Sequence, residues 1–240
     1  MTVHVALIEK KHNYTLYRVV SNCFYTNTYI LVSGKDMLIV DPGFDKQHVD
    51  LINEVVRLAV SSEVKRATIY LTHGHLDHFC SDLTLKRKLE KSGIDAKILI
   101  HEQDAYLLRD FTEHMQIGNT LVPEYNLEIF PTQPHDPDLC VRDEDTVNVG
   151  NIVFKVLHCP GHTRGSTVLV AEDFSFTGDV LLDGGIGRVD LPHSNPSEMR
   201  RSIYRILDTL SPDIKVLPGH GEPFQLGSQV TLVLALASRL

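Results

Sequence analysis

LTHGHLDHFC, residues 71–80, places His73, His75, Asp77 and His78 within six positions of one another. The apolar run ATIYL (67–71) before it reads as a buried strand, and DLTLKRKLEKSG (82–93) after it as a helix closed by Gly93. The cluster therefore sits where a strand ends and a helix begins. In an extended segment His73 and His75 point the same way, while Asp77 and His78, one turn further on, can point into the same cavity from a helix N-terminus. Such a set suits two adjacent metal ions better than one. Imidazole and carboxylate donors fit zinc, iron, manganese or nickel, and with no cysteine in the cluster a closed structural zinc site is not expected.

Outward from this stretch, the N-terminal third alternates as a β-meander does: TLYRVVS, NTYILVS and MLIVDPG, with a Ser-Gly-Lys-Asp turn at 33–36. The pattern predicts an antiparallel sheet. Between Lys46 and Ala59, the apolar residues Val49, Ile52, Val55, Val56 and Ala59 keep helical spacing and should pack one face on that sheet. AKILI (96–100) reads as a strand and EQDAYLLRDF (102–111) as a helix. Residues 112–145 carry Pro123, Pro131, Pro134 and Pro137 among acids without a period, so an irregular surface excursion, a candidate lid, is expected there. A second β-rich block follows, with TVNVGNIVFKVLHCPG, STVLVAE and FSFTGDVLL, then a helix from Ser197 to Leu210 and the strand of IKVLPGHG. Two such halves facing each other give an α/β sandwich of two sheets with helices outside.

A histidine-rich loop can arise by chance, but three later sites argue against it here. CPGHTRGS sets His162 in a Pro-Gly turn after a strand, FTGDVL sets Asp179 at the end of another, and VLPGHGEP sets His220 at the end of a third. Each puts a polar ligand beside glycines that let backbones approach closely.

HxHxDH, then His in a PGHT turn, Asp after a Thr-Gly pair and His in PGHG make a combination that resembles the metallo-β-lactamase superfamily over roughly residues 15–225. The resemblance implies an αββα sandwich of two mixed β-sheets with helices on the outer faces and a metal site at one edge between the sheets, carried by residues 1–240 as a single domain. It also implies two divalent metal ions, zinc foremost with iron or manganese as alternatives. One is expected on His73, His75 and His162, the second on Asp77, His78 and His220, and Asp179 bridges both. Asp41, in IVDPGF, matches a family position whose aspartate supports the metal site by hydrogen bonding, so anchoring of a histidine is its expected role; it also suits a plain Asp-Pro-Gly turn.

GDVLLDGGIGRVDLP (178–192) looks like the glyoxalase II branch, especially its compact members, and also like persulfide dioxygenases. In that comparison Arg188 stands where a basic side chain meets an anionic thiol cofactor, with Asp190 as an alternative salt-bridge partner. The expected activity is hydrolysis of a small-molecule thioester such as a hydroxyacylglutathione, by a metal-bridging hydroxide that Asp77 orients. The alternatives are a mononuclear iron persulfide dioxygenase, with His73, His162 and Asp179 as a facial triad, and a hydrolase of another ester or lactone. Only a short stretch follows His220, where glyoxalase II proper carries a helical region that grips glutathione. The thiol carrier is therefore left open. A binding module without activity would have lost ligands, and all seven positions are filled.

Composition narrows the partners. A formal charge of −8, with 13 neutral histidines, gives no general attraction for nucleic acid or for an anionic membrane. No run approaches the roughly 20 apolar residues of a membrane span, and MTVHVALIEKKHNYT does not read as a signal peptide. Cys23, Cys80, Cys140 and Cys159 form no CxxC pair and read as reduced thiols, so a cytoplasmic location is expected. Other histidines, including His101, His158 and His193, have no motif around them and are expected at the surface or in packing.

Overall fold

The computed structural model describes residues 5–21, 24–43, 49–110, 112, 114 and 133–240. Two β-sheets lie face to face with helices on both outer sides, the αββα arrangement expected from the motifs.

The first sheet has seven strands in sequence order: β1 (Val5–Lys10), β2 (Thr15–Val20), β3 (Asn27–Ser33), β4 (Asp36–Val40), β5 (Arg66–Leu71), β6 (Asp95–His101) and β7 (Leu139–Val141). Strands β2 to β4 form the expected meander, with β1 antiparallel at its edge; β5, β6 and β7 continue the sheet in parallel. Parallel neighbours need crossovers, and helices α1 (Val49–Ser61) and α3 (Asp82–Lys91) provide them on one face. On α1 the buried Leu51, Ile52, Val55, Leu58 and Ala59 follow helical spacing, and on α3 Leu85 and Leu89 lie one turn apart; together they cover Ile39, Ile69 and Ile98 of the sheet. The four-residue α2 (Leu76–Phe79) lies between β5 and α3.

The second sheet runs in the order β15, β14, β11, β10, β9, β8, from β8 (Thr146–Val149), β9 (Ile152–His158), β10 (Thr167–Val170), β11 (Phe174–Gly178), β14 (Lys215–Pro218) and β15 (Phe224–Gln225). A small hairpin, β12 (Leu181–Leu182) with β13 (Gly185–Ile186), stands apart. Helix α4 (Pro196–Thr209) begins sharply because Pro196 is pre-set for the first turn and the Asn195 side chain accepts the Glu198 N–H at 3.1 Å. With α5 (Val230–Ala237) it covers the outer face through Met199, Ile203, Ile206 and Val233. Between the sheets Tyr29, Tyr70, Phe154, Phe174 and Phe176 fill the core, and the one polar end of Tyr70 is satisfied by Thr167 Oγ1 at 2.9 Å across the interface.

Three expectations change. EQDAYLLRDF is not a helix but a single 3-10 turn at Ala105–Leu108, because Asp104 at its start is drawn inward to hydrogen-bond two other loops. The irregular stretch 112–145 is interrupted by β7, and before it Asp138 accepts from Ile98 N and Lys86 Nζ, which fastens residues 133–138 to the first sheet. Residues 115–132 of the candidate lid lie outside the described residues. Third, β1 joins the first sheet as an edge strand although the N-terminal segment carried no strand expectation. No helix among the described residues is long and apolar enough to cross a membrane.

Candidate metal centre

All seven side chains singled out by the motifs converge at one edge of the sandwich. His73 and His75 lie on the loop after β5, and α2 carries Asp77 and His78. Across the gap, His162 follows β9, Asp179 follows β11 and His220 follows β14. Each sheet thus presents strand ends, where backbone and side-chain positions are held by the ladders behind them.

The donor atoms group in three overlapping triads, each within 4.8 Å: His73, His75 and His162; His73, His78 and Asp179; and Asp77, His78 and His220. Asp179 reaches both sides. Its carboxylate oxygens lie 3.5 Å from Nε2 of His162, of His78 and of His220. His78 Nε2 and His220 Nε2 face each other at 3.2 Å, a distance at which two imidazole nitrogens share a proton or a cation. Nε2 of His73, Nε2 of His162 and Oδ1 of Asp179 are buried without a hydrogen-bond partner. An unpaired buried polar atom costs about 1–3 kcal/mol, so three of them around one cavity fit a site shaped for cations.

Electrostatics agrees with ligand chemistry. Burial, then the neighbouring imidazoles, hold His73 and His75 well below the usual histidine value, so both are neutral and able to bind metal. Burial also opposes charge on His78, but the Asp77, Asp179 and Asp41 carboxylates outweigh it and raise the ring to about 10. His220 moves up as well: burial works against it, and Asp179 and Asp77 prevail. Burial would raise Asp77, yet His78 and His220 hold it below the ordinary carboxylate range.

Behind the donors stands a layer of hydrogen bonds. Asp41 accepts from Thr72 N at 2.8 Å, from Thr72 Oγ1 at 2.7 Å and from His78 Nδ1 at 2.9 Å, which aims Nε2 of that ring into the cavity. Its φ of 51° is left-handed, at a cost of roughly 1–2 kcal/mol for a residue with a Cβ. Bonds to a charged acceptor contribute about 1.5–3 kcal/mol each, so the three bonds win. His162 Nδ1 donates to the Arg188 carbonyl at 2.8 Å, and Thr26 Oγ1 donates to Asp77 Oδ2 at 3.0 Å. The Arg188 guanidinium itself forms a two-pronged pair with Asp190 at 2.8 and 2.7 Å, half exposed beside the His162 turn. Cys80 and Cys159 are buried, and burial pushes the Cys159 thiol up, which disfavours the thiolate. The His101 and His158 rings stack on each other with centroids 4.0 Å apart, and neither belongs to a donor triad.

Sequence reasoning missed Thr26, Thr72, Asp104 and Thr163. Asp104 is wholly buried and accepts from Gly74 N at 2.9 Å, Thr163 Oγ1 at 2.6 Å and Gly165 N at 2.6 Å. Burial raises its carboxyl, against those three donors. Nothing in HEQDAY distinguishes it from a surface aspartate; its partners are supplied by other loops. Glycines keep the cavity open: a Cβ on Gly219 would stand 2.4 Å from Asp179 Oδ1, and one on Gly187 would stand 1.9 Å from the Asp179 carbonyl oxygen.

Among known proteins, the hydroxyacylglutathione hydrolase GloC of Haemophilus influenzae is 31% identical over 198 residues, spanning 81% of this chain and 84% of that one. The crystal structure of TTHA1623 in a di-iron-bound form superimposes with a TM-score of 0.65 at 27% identity, covering 88% of this chain and 96% of that one. The BLEG-1 B3 metallo-beta-lactamase shares the fold with a TM-score of 0.74 at 24% identity, covering 90% and 96%. The family model of the metallo-beta-lactamase superfamily matches residues 21–220, a span that includes every donor described above. On its motifs, its fold and this match, the chain belongs to the metallo-beta-lactamase superfamily.

Proposed function

We propose that the protein is a dinuclear metallohydrolase that cleaves a small-molecule thioester of the hydroxyacylglutathione type. The observation that carries this reading is the pair of donor triads joined by Asp179, with unpartnered imidazole nitrogens and a carboxylate oxygen facing the cavity. His73, His75 and His162 would hold one divalent ion, Asp77, His78 and His220 the other, with Asp179 touching both. Such ions supply a hydroxide nucleophile near neutral pH and Lewis acidity for the acyl carbonyl and the departing thiolate.

The chain's own groups do the positioning. Asp77, kept ionised and about one-fifth exposed at the cavity edge, accepts a hydrogen bond from the incoming water or hydroxide and turns its oxygen toward the carbonyl. Thr26 holds that carboxylate in place, and the Arg188 carbonyl and Asp41 fix the rings of His162 and His78. Arg188, carried on the loop beside His162, is assigned to the anionic part of the thiol carrier, reached by exchanging one of its contacts with Asp190. The similarity to GloC supports the substrate class.

Metal content of chelator-free protein, read together with turnover of S-lactoylglutathione and oxygen uptake with glutathione persulfide, tests the reading. Two metals per chain with thioester cleavage are expected, and Asp179→Ala should lose metal and activity together. One iron per chain with oxygen consumption would replace the hydrolase by a dioxygenase.

A further inference from the structure

Two buried carboxylates, Asp41 and Asp104, stand behind the donors. Asp41 bonds His78 of the Asp77–His78–His220 group directly and reaches His73 through Thr72, whose Oγ1 lies 3.1 Å from His73 Nδ1. Asp104 touches no ligand ring; its three bonds go to the two loops that carry the other group. Gly74 lies between His73 and His75, and Thr163 and Gly165 lie one and three residues after His162. Those loops belong to different sheets, one following β5 and the other β9.

The packing around this carboxylate leaves little slack. A Cβ on Gly165 would stand 2.6 Å from Asp104 Cγ, and one on Gly74 would stand 2.6 Å from Leu107 Cδ1 and 3.2 Å from the Asp104 carbonyl oxygen. Thr163 Oγ1 is held further by Ser166 Oγ at 2.7 Å. The loops also meet where Thr167 N donates to the Thr72 carbonyl at 2.9 Å, but that bond lies five residues beyond His162. Asp104 brackets the ligands far more closely. Asp104 is thus the side chain that ties the two loops together between their ligands.

We propose that Asp104 is the positioning residue of the His73–His75–His162 group alone, so that the affinity of this site is tuned by a carboxylate that the other site does not use. This rests on the two-ion reading above. Asp104→Asn keeps the shape but turns one acceptor oxygen into an NH2, which meets a donor with a donor. Thr163→Val, milder, deletes one of the three bonds.

The test is zinc affinity of the metal-free chain, measured by chelator competition in two backgrounds. In His220→Ala the remaining site is the His73–His75–His162 group; in His162→Ala it is the Asp77–His78–His220 group. Asp104→Asn should weaken zinc binding roughly 10–100-fold in the first background and by no more than about threefold in the second, the range typical for loss of an outer hydrogen-bond partner. Thr163→Val should shift the same site in the same direction by less. A merely structural carboxylate would lower the urea midpoint of the metal-free chain and weaken both sites alike, and equal losses would overturn the assignment, as would an unchanged affinity in the His220→Ala background. If the unsubstituted chain binds fewer than two zinc ions, the two-ion reading falls and takes this assignment with it; two ions with equal losses overturn the role of Asp104 only.

Discussion

Gly219→Ala probes the cavity where the backbone comes closest to it. Gly219 precedes the ligand His220 and is not among the residues with left-handed φ, so alanine brings no backbone strain of its own. Its Cβ would stand 2.4 Å from Asp179 Oδ1 and 2.7 Å from His78 Cε1, against a floor of 3.0 Å that such contacts essentially never cross. Asp179 Oδ1 must then retreat by about 0.6 Å, whereas metal–ligand distances hold to within about 0.2 Å. The chain cannot yield backward, because the carbonyl carbon of Gly178 is already 3.1 Å from the added atom. Loss of at least one metal equivalent and a fall in turnover of roughly 100-fold are expected, the scale of an ångström-sized misplacement at a reacting centre. Elemental analysis, thioester hydrolysis and far-ultraviolet circular dichroism on one preparation provide the assay. Retained fold with two metals and turnover within about threefold of the parent would refute the placement of Asp179 between the ions.

Three further outcomes follow from the geometry. Arg188→Ala leaves the carbonyl that holds His162 in place, so KM for an anionic thiol-derived substrate should rise more than KM for a neutral ester; equal effects would remove Arg188 from substrate recognition. The raised His78 ring, at about 10, carries a proton throughout the neutral range, and a cation taking Nε2 must expel it. Metal binding should therefore release protons and strengthen as pH rises, which calorimetry in buffers of different ionisation enthalpy reads directly; heats independent of buffer would contradict it. His101, buried and stacked on His158, titrates near 4 rather than 6.5. Between those values the unfolded chain binds the extra proton, so stability of the metal-free protein should fall as pH drops through that window, and replacing His101 by Phe should flatten the slope there. An NMR midpoint above 6 for this ring would end that explanation.

The four-layer fold was readable because strand alternation, helical spacing and strand-end motifs all agree in this chain. The donors were readable for the same reason: His73 through His78 announce themselves as a cluster, and His162, Asp179 and His220 each close an apolar run beside glycine. What local pattern could not show depends on contacts made by distant segments. Strand β7 is three residues long and exists only as a parallel neighbour of β6, so the prolines and acids around it dominated its reading. EQDAYLLRDF reads as a helix, but Leu107 packs over Gly74 and Asp104 turns inward, which stops the segment after one turn. Thr26 and Asp104 reach partners 51 and 59 positions away. Neither residue has a sequence neighbour that hints at such a contact.

The pairing of His78 with His220 spans 142 positions. During synthesis a ribosome would have made the whole first sheet, every strand of the second but β15, and the helix between β13 and β14 before the last donor emerges. A nascent chain short of His220 can offer metal only a partial set, so full loading waits for the last donor. Loops joined over such separations are slow to close. Metal supply in the compartment at that moment, rather than intrinsic affinity order alone, would then decide which ion the finished protein carries.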